Sequence, residues 1–344
     1  MGGVAAFSIL KNNYAAGGVE ILPKINYSPS TTFSAEFQGS LKQGIVKIVS
    51  YQNFSSLSSV LDKAVAANGA ISYGFVASSD GWVVASLLPA SPSQGGPKGF
   101  FSVISSDGET FTPQQIVKDN FLGLTFLKIS GASFKVLPLD GEHALAFGDD
   151  LFIVEGEKVI KSNLAYFGYP ERVKKSDFVL SSENVNKYLF LKDKIGDEWA
   201  GLPIFSKKGE AVGVVNNQNL VVPIGLVKTQ LKNFWKNGLL ARPYFGVKYF
   251  DLSASPIKID NINLKKGAYI FKPNELDSVI KNSPAFKAGI KPGDIILSVM
   301  GEEINEKYNL AERIGEYALG ETIDLEISRN GETINASVIL GSKE

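Results

Sequence analysis

From Gly44 onward the chain is a succession of short apolar runs broken by turn residues. Examples are Gly44–Tyr51 (GIVKIVSY), Ile71–Ala85 interrupted at Ser78-Ser79-Asp80-Gly81, Phe101–Ser105 and Leu124–Ile129. Asp150–Glu155, Tyr188–Leu191, Ala211–Val215 and Leu220–Ile224 continue the pattern. Runs of this length and texture predict strands, and so many of them predict an all-β barrel or sandwich rather than alternating βαβ units. Leu57–Ala67 (LSSVLDKAVAA) is the one helical-looking stretch in the first half, and Val227–Asn237 (VKTQLKNFWKN) reads as an amphipathic helix ended by Gly238. After it the texture changes. Tyr244–Asp251, Gly267–Lys272, Asp294–Val299, Thr322–Arg329 and Ile334–Leu340 read as strands. Glu306–Tyr317 reads as a helix, with Leu310, Ile314 and Tyr317 on one face. Arg329-Asn330-Gly331 is a hairpin turn, because Asn and Gly take positive φ at little cost. The first residues, rich in Gly, Ala, Ser and Asn without a period, read as an extended arm. Three parts are therefore expected: an arm over 1–40, a β-rich module over 41–241 and a terminal module over 242–344.

Composition narrows the chemistry. The 344 residues carry 35 Lys and Arg against 35 Asp and Glu, one His and no Cys. Zero net charge argues against nucleic acid or an anionic membrane as the main partner. The missing cysteines remove disulfides, thiol catalysis and Cys-based zinc sites, and a single histidine excludes His-clustered metal chemistry. No cofactor is expected, since phosphate-loop and metal-ligand spacings are both missing from the sequence. No stretch reaches the ~20 apolar residues of a membrane span. The opening Met-Gly-Gly-Val-Ala-Ala-Phe-Ser-Ile-Leu reads as a disordered end, with the stump of a trimmed signal or anchor as the alternative.

Two stretches of the terminal module carry a family resemblance. Pro243-Tyr244-Phe245-Gly246-Val247, followed by Asn282-Ser283-Pro284-Ala285-Phe286-Lys287-Ala288-Gly289-Ile290-Lys291-Pro292-Gly293-Asp294, resembles a PDZ domain. More narrowly, it resembles the PDZ of HtrA/DegP-type serine proteases. Ser283-Pro284-Ala285 has the cap and first-turn proline of a short helix, which Ala288-Gly289 closes. The resemblance implies that the loop at Tyr244, Phe245, Gly246 and Val247 offers backbone N–H groups to a peptide's terminal carboxylate. An extended ligand would then pair with the following strand edge, facing the helix that bears Leu310 and Ile314. Taken singly, Leu310 and Ile314 read equally well as core.

With that module identified, the first half is similar to the chymotrypsin-like double β-barrel of the same family. Gly74–Val84 resembles the first barrel's hairpin, and Ser106–Phe111 the next turn and strand. Gly123–Ile129 is similar to the family's D-L-A-x-L-K-I strand, Phe147-Gly148-Asp149 to the turn opening the second barrel, and Gly201–Val214 to the segment after the nucleophile. The resemblance covers residues 40–341, and shared order and spacing carry it.

Serine proteolysis needs a hydroxyl, an imidazole, an orienting carboxylate and donors for the oxyanion. Carried over position by position, the histidine falls on Leu88, the aspartate on Gly123 and the serine on Ala200. Glu198 and Trp199 stand where the family has Gly-Asn, and only Asn216–Asn219 separates Val215 from the next run. His143 lies in Asp140-Gly141-Glu142-His143, far in sequence from these positions, and reads as a loop residue. Asp119 has no imidazole to orient, and Ser206-Lys207 reads as a solvated turn rather than a dyad. The resulting expectation is a catalytically inactive, HtrA-like scaffold or regulatory subunit that binds peptide C-termini or unfolded segments through the terminal module. The alternative is an active endopeptidase or protein quality-control factor with an unconventional site. The resemblance further implies trimers built through N-terminal aromatic residues (here Tyr27, Phe33 and Phe37), either of this chain alone or with an active relative. It also implies a location outside the cytoplasm, in the cell envelope.

Overall fold

Antiparallel pairing of the short runs generates three sheets. The computed structural model describes residues 35–50, 59, 72–87, 101–131, 134–139, 145–170, 178–184, 187–237, 242–254, 264–271 and 277–342. Apart from Ser59, the helix expected over Leu57–Ala67 lies outside them, as do the aromatic residues Tyr27 and Phe33. Phe37 falls in α1 (Ala35–Lys42), so the arm expected to reach residue 40 ends in a helix.

β1 (Ile45–Ser50), β2 (Ser72–Val76), β3 (Trp82–Ala85), β4 (Phe101–Ile104), β5 (Thr110–Phe111), β6 (Gln115–Asp119) and β7 (Leu124–Lys128) form the first sheet, in the order β5-β4-β1-β2-β3-β7-β6. Its apolar face buries Ile48, Val83, Val103 and Leu127 completely. The β2–β3 hairpin is set by Ser78, whose Oγ accepts from the Trp82 N–H at 3.1 Å, and by Gly81 at φ +92°. β6 is an edge strand whose Gln, Lys and Asp hide the strand pattern in the sequence.

The second sheet is a closed barrel. β8 (Asp150–Glu155), β9 (Lys158–Gly168), β11 (Tyr188–Leu191), β12 (Pro203–Ser206), β13 (Ala211–Val215) and β14 (Val221–Pro223) close it in the order β11-β14-β13-β12-β8-β9. The double β architecture expected from the sequence is therefore present.

β10 (Leu180–Ser181) does not join that barrel. It is the first strand of the third sheet, ordered β10-β15-β16-β17-β19-β20, with β18 paired to β17. The remaining elements are α2 (Ile224–Asn237), β15 (Lys248–Asp251), β16 (Ala268–Tyr269), α3 (Pro284–Lys287), β17 (Ile295–Val299), β18 (Glu302–Glu303), α4 (Leu310–Gly315), β19 (Thr322–Arg329) and β20 (Glu332–Ile339). Phe245, Val247, Tyr249, Ile296, Leu310, Ile314 and Ile327 fill the core of this module. Asn330 and Gly331 turn β19 into β20 at φ +53° and +88°, as the Asn-Gly pair predicts. Arg329 grips Asp294 with Nε and Nη2 at 2.7 Å each, and the same carboxylate accepts from the Lys291 N–H, so the Pro292-Gly293-Asp294 turn is pinned to β19.

One further detail differs from the sequence reading. The helix expected over Glu306–Tyr317 is confined to Leu310–Gly315, because Asn309 caps it in a reciprocal box with Glu312 and Asn305 builds a separate turn before it. By their contacts the described residues form two compact units. Those up to 163, with 193–221, form one compact unit, and those of 164–192, with 222 onward, form the other. The reason is physical: 164–192 supplies a strand and several polar tethers to the terminal module.

Candidate functional site

In the first unit, the positions carried over from the family triad can be followed residue by residue. Leu88 and His143 lie outside the described residues. Leu87 ends the described stretch after β3 and is buried. Ser86 beside it places its Oγ 3.4 Å from the carbonyl oxygen of Gly123. The buried Ser72 hydroxyl lies against three carbonyl oxygens, those of Ser86, of Tyr73 at 2.9 Å and of Ala200 at 3.1 Å. The Ala200 carbonyl also accepts from the Tyr73 N–H at 2.8 Å. The chain just before Leu88, Gly123 and Ala200 thus meet through one small set of hydrogen bonds.

No reactive group stands at either described position. Gly123 has φ +66°, and a Cβ built on it would overlap the side-chain oxygen of Asn217. Asn216, fully buried, donates from Nδ2 to the Leu122 carbonyl at 3.0 Å, so the asparagine turn is fastened to this segment. Asp119 turns its carboxylate to the N–H groups of Phe121 and Leu122, at 2.9 and 3.0 Å, which makes it an anchor of the loop before Gly123. Ser206 ends β12 and Lys207 opens the turn after it, where Ser206 Oγ accepts from the Lys208 N–H at 3.2 Å.

Residues Asp197–Trp199 form a 3₁₀ turn. In it the Trp199 N–H donates to Gly196 O at 3.1 Å and the Ala200 N–H to Asp197 O at 3.2 Å. The peptide N–H at position 200 is therefore bonded inside the turn. Gly201 follows at φ +85°, where any Cβ would run into the Tyr73 carbonyl. Among the described residues no group of His, Cys, Asp and Glu could hold a metal ion.

In the second unit, the loop expected to receive a carboxylate runs from Tyr244 to Val247. Tyr244 pairs with Gly341 through both backbone bonds. Gly246 has φ +90° and packs so closely on Ser283 that a Cβ could not be inserted. Ser283 in turn caps α3, its Oγ accepting from the Phe286 N–H at 3.1 Å. Val247 leads into β15, beside α4.

This groove is not open. Residues 180–183 lie in it, β10 pairing antiparallel with β15 through Leu180↔Tyr249 and Ser181↔Lys248. The Ser182 N–H donates to Val247 O at 3.0 Å, and the Val247 N–H donates to Ser182 Oγ at 3.0 Å. Glu183 Oε1 then accepts from Gly246 N–H at 2.8 Å and Phe245 N–H at 3.2 Å. Leu180 is buried in one cluster with Phe245, Val247, Leu310 and Ile314. Leu310 and Ile314, expected to line a groove, are fully buried beneath this segment and serve as core. The sequence reading missed Leu180, Ser182 and Glu183. Phe178-Val179-Leu180 is an apolar run that could have been read as a strand, but period does not say which sheet a strand joins.

A buried polar network fastens Tyr169 and Lys187, which flank this segment in sequence. Tyr169 donates from its hydroxyl to Asp251 at 2.5 Å and accepts from Asn309 Nδ2 at 3.1 Å. Lys187, nearly inaccessible, sits 3.7 Å from Asp251 and donates to the carbonyls of Glu306 and Asn305. Glu312 accepts from the Asn309 N–H through one oxygen while the other finds no partner. Burial pushes its carboxyl up to about 7, against the opposing pull of Lys187.

Comparison with known proteins places these features. The PDZ domain family model matches residues 254–340, which takes in α4 and β16–β20 but not the Tyr244–Val247 loop or β15. A probable periplasmic serine endoprotease, DegP-like, of Hahella chejuensis is 24% identical over 279 residues, 78% of this chain and 56% of that protein. Its counterpart in Bartonella henselae is 28% identical over 286 residues, 71% of this chain and 52% of that protein. The serine protease Do-like HtrA of Bacillus subtilis is 30% identical over 162 residues, 42% of this chain and 35% of that protein. The chain thus spans about half the length, or less, of these curated relatives. Among solved structures, the HtrA-type protease AlgW with tripeptide aligns with a TM-score of 0.56 at 15% identity, covering 89% of this chain and 97% of that one. The same protease with decapeptide aligns with a TM-score of 0.52 at 16% identity, covering 80% and 84%. At that identity the structural likeness speaks for the fold.

Proposed function

Proceeding from a chain that is a homologue of HtrA-type serine proteases with a PDZ domain, we propose that it is a pseudoprotease. In this reading its two β modules serve as a scaffold and its terminal module binds extended peptide segments or peptide C-termini. The observation that carries the reading is the nucleophile position. Ala200 has no hydroxyl, and its N–H is committed to Asp197 O. Gly123, at the orienting position, offers no carboxylate. Losing a whole triad costs about 10⁶-fold in turnover in a comparable protease, on the order of 8 kcal/mol at the transition state.

The naming of relatives as periplasmic supports a place outside the cytoplasm for this chain too. Among the described residues no helix is long and apolar enough to cross a membrane. The test is chemical. A serine-directed fluorophosphonate should leave the protein unlabelled, and casein should remain intact in protein freed of contaminating proteases. Covalent labelling at any serine overturns the reading.

A further inference from the structure

We propose that Leu180-Ser181-Ser182-Glu183 is a built-in ligand of the terminal module, holding the peptide groove closed in cis with the Glu183 side chain in the place of a terminal carboxylate. The proposal rests on the groove reading above and adds its occupant, its regulation and its ligand chemistry.

Peptide recognition by strand addition needs three things: backbone pairing to a free strand edge, an apolar anchor, and a carboxylate in a cradle of backbone N–H groups. Residues 180–183 supply all three. β10 pairs with the edge of β15. Leu180 is the anchor, only 4% exposed among Phe245, Val247, Leu310 and Ile314. Glu183 provides the carboxylate, seated on the Gly246 and Phe245 N–H groups. Those donors would otherwise need water or another anion, because an unpaired backbone N–H is costly wherever it is covered. Arg242 adds a weaker contact to the Glu183 carbonyl, at 3.5 Å. Tyr169 and Lys187, on either side of the segment, are fastened to Asp251, Asn305, Glu306 and Asn309, so the occupant is tethered at both ends.

Tethering sets the energetics. A ligand joined to its own site competes at an effective concentration of order millimolar or above, so a free peptide of equal intrinsic affinity loses by mass action. The ligand class also follows. The preferred external segment carries a leucine-like anchor three residues ahead of an acidic side chain or terminus, and it must displace 180–183 to enter.

The chain's lack of cysteine makes a clean lock available. Ser181 and Lys248 face each other across β10 and β15, and the Lys248 N–H turns the other way, to Ser278 O. They therefore form a non-hydrogen-bonded pair, the kind whose Cα atoms lie closest, at about 4.5 Å. In the full chain carrying Ser181→Cys and Lys248→Cys, mild oxidant is expected to form the disulfide nearly completely, read by mass and thiol titration. The binding probe is a fluorescein-labelled, C-terminally amidated copy of residues 178–184 (FVLSSEN).

The oxidised pair should not bind that peptide. A Leu180→Ala/Glu183→Gln variant should bind it at least tenfold more tightly than the unmodified chain, and a probe with Gln at the acidic position should bind neither. Thiols that stay free under oxidant would overturn the seating of the segment. Equal affinity of the oxidised, reduced and Leu180→Ala/Glu183→Gln proteins would overturn the closure while leaving peptide binding intact. Absence of binding by every form would sink the groove reading and its regulation together, while the cross-link yield still reports the seating on its own.

Discussion

Single residues show how little freedom the backbone around position 200 has. Gly201 sits at φ +85° with the Tyr73 carbonyl where a Cβ would go, and the neighbouring Ala200 carbonyl bonds to the Tyr73 N–H. Gly201→Ala must therefore break backbone pairing rather than move a side chain. Its expected cost is at the high end for a point change, above about 4 kcal/mol, read from the urea midpoint. Glu312 gives a pH signature. Its carboxyl titrates near 4.5 when unfolded and at about 7 in the native state. Between these values the folded protein holds a proton that the unfolded chain has lost, so stability declines as pH rises. Over the whole window the loss is on the order of 3 kcal/mol. Glu312→Gln keeps an oxygen for the Asn309 N–H and removes the titration. Denaturation midpoints of that variant between pH 5 and 7 should lack the downward slope, by up to one proton.

At the scale of elements, α4 depends on its first turn. Asn309 accepts from the Glu312 N–H at 3.1 Å, receives Glu312 in return, and donates to Tyr169. Asn309→Ala removes cap and donor together and is expected to cost about 2 kcal/mol, whereas Asn309→Asp keeps the cap and should cost less, both by urea denaturation. That cap was readable from the amino-acid order only in hindsight, since the apolar period of Leu310, Ile314 and Tyr317 extends the helix further than its hydrogen bonds do. Strands whose apolar residues alternate or run together, such as Asp150–Glu155 and Thr322–Arg329, fall where the pattern predicts. Gln115–Asp119 and Lys158–Gly168 escape it, because strands with little fully buried surface can be polar on both faces. The loop at Tyr244–Val247 was legible from its glycine and its neighbours. Its occupant was not, since Glu183 reaches Gly246 by folding across 63 residues of sequence and no local pattern encodes such a pairing.

For the molecule as a whole, the proposed reading puts inactivity in the scaffold around the triad positions and not only in the side chains there. If it lay in the side chains alone, Leu88→His, Gly123→Asp and Ala200→Ser together would restore a protease. The surroundings argue otherwise. An aspartate at position 123 inherits φ +66° and must displace the Asn217 side chain, whose neighbour Asn216 is bonded to Leu122 O. A serine at position 200 inherits a peptide N–H already donated to Asp197 O, inside a 3₁₀ turn that carries Glu198 and Trp199. Each missing oxyanion donor is worth about 10²–10³-fold in turnover, and a misplaced carboxylate adds its own penalty. The triple variant is therefore expected to fold, as judged by an unchanged β-type circular dichroism spectrum, and still to leave casein turnover at background. It should also remain unlabelled by fluorophosphonate. A folded triple variant that cleaves casein, and loses that rate when position 200 is returned to alanine, would place the inactivity in three side chains alone. Persistent silence would instead locate it in the backbone of the Gly196–Gly201 turn, where Glu198→Gly with Trp199→Asn is the next change to make.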